Sequence, residues 1–174
     1  MILFGVVYPL LISAIALLVA PNGGKGQEVF VNGKLVGFEL IGQKFDDERY
    51  FNSRPSAVDY NAASTGGSNK GSSNPDYLAL AQARIDTLLV HNPSVKKEEI
   101  PSDLVTASGG GLDPHISIAA AKIQVNRIAK IRNLKPEVLN QLITKNIDGP
   151  WMELFGTSKV HVLHLNIALD EIKN

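Results

Sequence analysis

The sequence predicts an α+β fold: an apolar helix, then one body with a small sheet, several helices and two long polar loops. Three observations predict it. All 17 basic and all 17 acidic residues lie at or beyond Lys25, so an uncharged apolar head precedes a polar body. Asn32-Gly33 separates two apolar-rich runs, the strongest short-range sign of a β-hairpin, because both turn residues tolerate positive φ. Further on, capping residues and prolines open stretches whose apolar residues recur at helical spacing.

The head, Ile2–Ala20, is interrupted only by Pro9 and Ser13. As a helix it would span roughly 28 Å, close to the hydrocarbon thickness of a bilayer. A cleaved signal peptide needs a basic leader, and no Lys or Arg stands in front. A buried helix of a globular body needs a polar face, which this segment lacks. The expectation is therefore a transmembrane helix over 1–20, a hinge over 21–26 and a soluble α+β domain over 27–174. Proline is tolerated in bilayer spans. Gly5, Ser13, Ala14 and Ala16 would let a partner helix approach closely. The flanking lysines, Lys25, Lys34 and Lys44, would by the positive-inside rule hold the body in the cytoplasm.

In the body, Glu28–Val31 and Lys34–Phe38 form the expected hairpin. Residues 52–75 carry 13 Asn, Ser or Gly in 24 positions, with Tyr50, Phe51, Arg54 and Tyr60 as anchors, which points to an ordered loop. Asn74-Pro75-Asp76 opens a helix with Leu78, Ala81, Ile85, Leu88 and Leu89 on one face. Val105–Pro114 is a second glycine-rich loop. Ser117 caps a helix through about Arg132, with Ala120, Ile123, Ile128 and Ile131 inward. Pro136 starts a shorter helix with Val138, Leu139 and Leu142. Lys159–Leu165 reads as a strand and Ile167–Ile172 as a terminal helix.

Composition excludes several functions. A neutral body lacks the basic surface of a nucleic-acid binder. At 44% hydrophobic residues the chain is not disordered throughout. The absence of cysteine removes thiol nucleophiles, disulfides and thiolate zinc sites. Gly66 and Gly71 have phosphate-loop spacing, but Ser72 stands where the phosphate-binding lysine belongs. The loop could still offer backbone amides to a phosphate. Ser108 sits in a near-elbow, Thr106-Ala107-Ser108-Gly109-Gly110, that lacks the leading glycine. Asp113 and His115 follow too closely on one loop for relay geometry; Asp113-Pro114 reads as a turn with His115 satisfied by backbone groups. His161 and His164 fall on opposite faces of a strand, so no metal site is expected. His91 closes a helix against its dipole. Gln124 and Arg127 share a helical face; they either hold the carbonyls of the second glycine-rich loop or are solvated.

Taken in order, a set of segments carries a resemblance. They are Gly5-Val6-Val7-Tyr8-Pro9-Leu10, Leu40-Ile41-Gly42-Gln43-Lys44-Phe45, Tyr50-Phe51-Asn52-Ser53-Arg54-Pro55-Ser56-Ala57, Tyr60-Asn61, Gly66-Gly67-Ser68-Asn69 and Asn74-Pro75. Pro101–Gly109, Gly111–Ser117, Gln124, Arg127 and Val160–Asp170 complete it. Together they resemble the C subunit of the Kdp potassium-transporting P-type ATPase over nearly the whole chain. Gly110 and Ile118 depart from that family, which often has serine and proline there. Met1 lies almost on the first motif, where members carry a basic-then-apolar stretch, so a longer N-terminus is expected.

The resemblance implies a non-catalytic accessory subunit, needed for assembly and stabilisation of a high-affinity ATP-driven potassium importer. Its partners would be a channel-like potassium-translocating subunit, a P-type ATPase subunit and a small membrane peptide. It implies a single-pass plasma-membrane protein with an extracytoplasmic soluble domain, opposite to the lysine-based orientation. Gly5, Tyr8, Pro9, Arg54, Ser108, Asp113, His115, Gln124 and Arg127 are then partner-binding candidates. Gly66, Gly67, Ser68 and Asn69 are candidates for contact with a partner or a nucleotide. An alternative role is that of a catalytic chaperone raising the ATPase subunit's affinity for ATP, the only cofactor implied.

Overall fold

Local chemistry along the chain divides it into two compact units, Met1–Leu40 and Ile41–Asn174. The computed structural model describes residues 1–172. In the first unit the apolar head is helical but not uniform. Leu3–Val7 is a π-helix and Tyr8–Val19 is α-helix α1. The cause is Pro9, which has no N–H and whose ring would press on the carbonyl four residues earlier. The wider turn, in which the Tyr8 amide reaches back to the Leu3 carbonyl, makes room for that ring. The expected transmembrane helix is thereby corrected: no helix among the described residues is long and apolar enough to cross a membrane. Leu3, Leu10 and Leu18 are all exposed.

After a tight turn at Pro21–Gly24, β1 (Glu28–Val31) and β2 (Lys34–Phe38) pair antiparallel through Asn32 and Gly33, both at positive φ. This is the turn that Asn-Gly predicted.

In the second unit, α2 (Pro75–His91) begins as expected, the Asn74 side chain accepting from the Tyr77 amide at 3.1 Å. Its expected inward face is met at Leu88, which packs against the core, but not at Leu78, which is exposed. Ser117 caps α3 (Ile118–Ile123) by accepting from the Ala120 amide at 3.0 Å. The single helix expected to run on to Arg132 is broken at Gln124 and resumes as α4 (Val125–Arg132). Ala120 and Ile128 are buried as expected, whereas Ile131 is exposed. Helix α5 (Pro136–Lys145) buries Leu139 and Ile143.

Three short strands form an antiparallel sheet: β3 (His115–Ile116), β4 (Ile147–Asp148) and β5 (Lys159–His161), in the order β3-β5-β4. The expected long strand Lys159–Leu165 stops at His161. Its side chain accepts from the His164 amide and so starts helix α6 (Val162–Asp170). A run of Val and Leu cannot by itself decide between strand and helix, and here the cap decides. The core joins Phe51, Ile116, Ile128, Leu139, Val160 and Leu165.

Candidate functional site

The break at Gln124 explains how the polar loop is held. Leaving the helical ladder turns the Gln124 side chain inward, where its Oε1 accepts from the Asn52 amide at 2.8 Å and its Nε2 donates to the Ala120 carbonyl at 3.1 Å. One turn on, the Arg127 guanidinium donates to the Glu48 and Tyr50 carbonyls, and to the side-chain oxygens of Asn52, Asn92 and Gln124. Both side chains are buried. They hold the segment Glu48–Asn52, and not the second glycine-rich loop, because that segment passes over α4 with its carbonyls directed inward. Burial pushes the Arg127 pKa down while the Glu48 and Asp47 carboxylates pull it back up. An arginine still keeps its charge under such conditions. The positive charge therefore rests among carbonyl and amide oxygens, a set of charge-assisted bonds stronger than neutral ones.

Asn166 completes the lattice. From within the apolar run of α6 it accepts from the Phe51 amide at 2.9 Å and donates to the Phe51 carbonyl at 3.0 Å. Phe51 enters the core with both backbone groups paired, which removes the penalty for burying them. Asn92 and Asn166 escaped the sequence reading. The available signal was a lone amide in the otherwise apolar stretch Leu165–Leu169.

The two polar loops meet edge to edge. The Gly66 amide donates to the Gly110 carbonyl at 3.1 Å. A Cβ on Gly67 would stand 2.9 Å from the Gly109 carbonyl oxygen, and one on Gly42 only 2.6 Å from that of Asp113. These glycines are there because backbone touches backbone. Ser68 and Asn69 lie exposed beside this seam.

Below the seam Arg54 donates to Asp113 at 3.1 Å. The Asp113 carboxylate also accepts from the His115 amide at 3.0 Å and faces His115 Nδ1 at 3.3 Å. The expectation that backbone groups satisfy His115 is thus corrected, since a carboxylate meets its ring. The buried Ser108 hydroxyl accepts from the Asp113 amide at 3.4 Å. The His161 ring lies edge-on to His115 at 5.2 Å and stacks on His164 at 4.2 Å, so the two histidines expected on opposite faces share one. His91 ends α2 as expected and meets the Glu48 carboxylate. Tyr60 donates its hydroxyl to the Arg54 carbonyl, and burial pushes its pKa up to about 12. Beside the lattice opens a cavity of about 390 Å³ lined by Asp46, Glu48, Arg84, His91 and Arg127 among others. Gly5, Tyr8 and Pro9 belong to the other unit, on its helical run, where Tyr8 is exposed.

Burial alone would raise the Asp113 pKa. The hydrogen bonds from His115 and the charge of Arg54 outweigh it and hold the group at about 2, against an ordinary 3.8. A depressed folded-state pKa stabilises the fold above the unfolded value, and the contribution is lost as pH falls through the folded one. Asp113→Asn is expected to lower stability near neutrality and to flatten the acid limb between about pH 4 and about pH 2. Denaturant midpoints across that range check it; an unchanged acid limb would contradict the assignment.

Fold and site together have the geometry of a scaffold: Arg54, Ser108, Asp113, Gln124, Arg127 and Asn166 are bonded within the chain and fix its loops against each other and against α4 and α6, while Ser68 and Asn69 stay exposed. The protein family then follows from comparison. Residues 1–171 match the family model described as K+-transporting ATPase, c chain, and the chain belongs to this KdpC family. It is 59% identical over 172 residues to the potassium-transporting ATPase KdpC subunit of Flavobacterium psychrophilum, covering 99% of this chain and 92% of that protein. The corresponding subunit of Flavobacterium johnsoniae is 57% identical over 173 residues, with the same coverage. That of Caldanaerobacter subterraneus is 52% identical over 174 residues, covering 99% and 90%.

Proposed function

We propose that the chain is a non-catalytic accessory subunit of an ATP-driven potassium importer, needed for assembly and stabilisation of its channel-like and ATPase subunits. One observation carries the reading. The groups with chemical potential in the motifs, Arg54, Ser108, Asp113, Gln124 and Arg127, make intramolecular bonds that shape a surface. A surface of this kind, fixed before binding, loses little entropy on association. In this reading the Ile41–Asn174 unit lies on the extracytoplasmic side, and the exposed apolar residues of the helical run, with Gly5, Tyr8 and Pro9, meet partner subunits or lipid.

The alternative, a contact with ATP through Gly66–Asn69, has less support. The Gly66 amide is occupied by Gly110, and the Gly109 carbonyl oxygen lies against Gly67, where a phosphate would be repelled. The test is purification of the complex from cells lacking this chain. The expected result is dissociation of the channel-like and ATPase subunits, reversed by adding the chain back. A complex that stays assembled without it, but needs more ATP for half-maximal hydrolysis, would overturn this reading in favour of the alternative.

A further inference from the structure

The connection between β4 and β5 does not behave like an ordinary surface loop. Its tip exposes four large apolar side chains within one short stretch: Trp151 at 69%, Met152 at 66%, Leu154 at 78% and Phe155 at 62%. Single exposed apolar residues are normal, but a contiguous group marks an interaction site. The tip is held in its shape. Trp151 and Phe155 exchange backbone bonds, the Trp151 amide donating at 2.8 Å and the Phe155 amide at 3.0 Å. The Leu154 amide donates to Trp151 at 3.2 Å and the Glu153 amide to Pro150 at 3.0 Å. Met152 and Glu153 adopt left-handed backbone, φ 52° and 62°, a conformation unfavourable for side chains that are not glycine. The Trp151 and Phe155 rings lie 5.8 Å apart.

We propose that this tip, Pro150–Gly156, inserts into the headgroup and upper acyl region of a lipid bilayer. Three features favour lipid over a protein partner. Four of its amides, those of Trp151, Glu153, Leu154 and Phe155, donate within the tip, which lowers the cost of leaving water, since hydrocarbon offers open amides no partner. It is the connecting end of the antiparallel β4–β5 pair with all four apolar side chains exposed, which suits a penetrable medium without needing a matching pocket. Its composition, Trp and Phe beside aliphatic residues, is that of side chains which partition to the membrane–water boundary. The charges at and beside the tip balance, Glu153 within it and Asp148 beside it against Lys145 and Lys159, so the contact depends on apolar burial and not on anionic lipid, with the Glu153 carboxylate kept at the headgroup level. The inference is independent of the role proposed above.

Trp151 is the only tryptophan in the chain, so its fluorescence reports on this tip alone. The full chain is reconstituted into vesicles of dioleoylphosphatidylcholine or of its brominated counterpart. The expected result is Trp151 emission about twofold lower in the brominated vesicles, with reduced quenching by aqueous iodide, and little change on adding salt. Leu154→Lys, at an exposed position outside the core, is expected to reverse both effects while the chain stays on the vesicles. Equal emission in the two lipids, with full access to iodide, would overturn the proposal. So would Trp151 becoming protected only when the other subunits of the complex are added, which would make the tip a protein-docking element. Undiminished bromine quenching in Leu154→Lys would also overturn it, since penetration by the tip would not be its source.

Discussion

Arg127→Met is expected to lose at least about 4 kcal/mol of stability, a large share of the roughly 5–15 kcal/mol that typically holds a domain folded. Methionine fills a similar volume along its stem, so the loss is not one of packing. What disappears is the donor fork that reaches the Glu48 and Tyr50 carbonyls and the side-chain oxygens of Asn52, Asn92 and Gln124. Each buried acceptor left without a donor costs about 1–3 kcal/mol, reduced where water can enter. The neighbouring cavity admits water to some of them, which is why the estimate is well below the simple sum. Arg127→Lys is expected to recover only part of the loss, because an ammonium cannot span the same fork. Urea midpoints give the stability. Hydrogen exchange at Phe51 and Asn52 gives the location, since both amides are held by the lattice. A loss below about 1 kcal/mol for Arg127→Met would show that the loop is held elsewhere.

The sequence made some of this legible and concealed the rest for one physical reason. Asn32-Gly33, Asn74-Pro75, Ser117 and Pro136 act within their own turn of chain, and the structure puts a hairpin or a helix start at each. The break at Gln124 depends on Asn52, remote in sequence, and no periodicity in Ser117–Arg132 announces it. The pairing of Gln124 and Arg127 on a helical face was readable; which loop they hold was not, because backbone carbonyls look alike in every sequence. Val160–Leu165 has the composition of a strand, yet β5 has only short neighbours to pair with, and the His161 cap redirects the chain into α6. In the head, apolar composition gave the helical character, but the effect of Pro9 on its winding appears only once the π-turn is seen. Gly66 and Gly67 look in the sequence like possible phosphate contacts, when most of their meaning is the close passage of two backbones.

That close passage makes Gly42→Ala the second large effect. The Gly42 amide donates to the Leu112 carbonyl at 2.8 Å, and its Cα lies against the next peptide. An added Cβ would stand 2.6 Å from the Asp113 carbonyl oxygen, 2.9 Å from its carbonyl carbon and 3.1 Å from that of Leu112. Every one of these atoms is backbone, so no change of rotamer relieves the overlap, and one strand of the seam has to move. Overpacking of this kind costs about 3 kcal/mol. The displaced residue is Asp113 itself, so its bonds to Arg54 and His115 lengthen and its pKa is expected to rise toward the ordinary value. Gly42→Ala should therefore lose stability near neutrality and also lose the acid limb that Asp113 provides, so that adding Asp113→Asn costs less than it does alone. Gly110→Ser is the matching control: a Cβ there meets nothing within 4 Å, and the change is expected to stay within about 0.5 kcal/mol. Full additivity of Gly42→Ala and Asp113→Asn would mean that the seam does not position the carboxylate, and the contact between the two loops would then be packing alone.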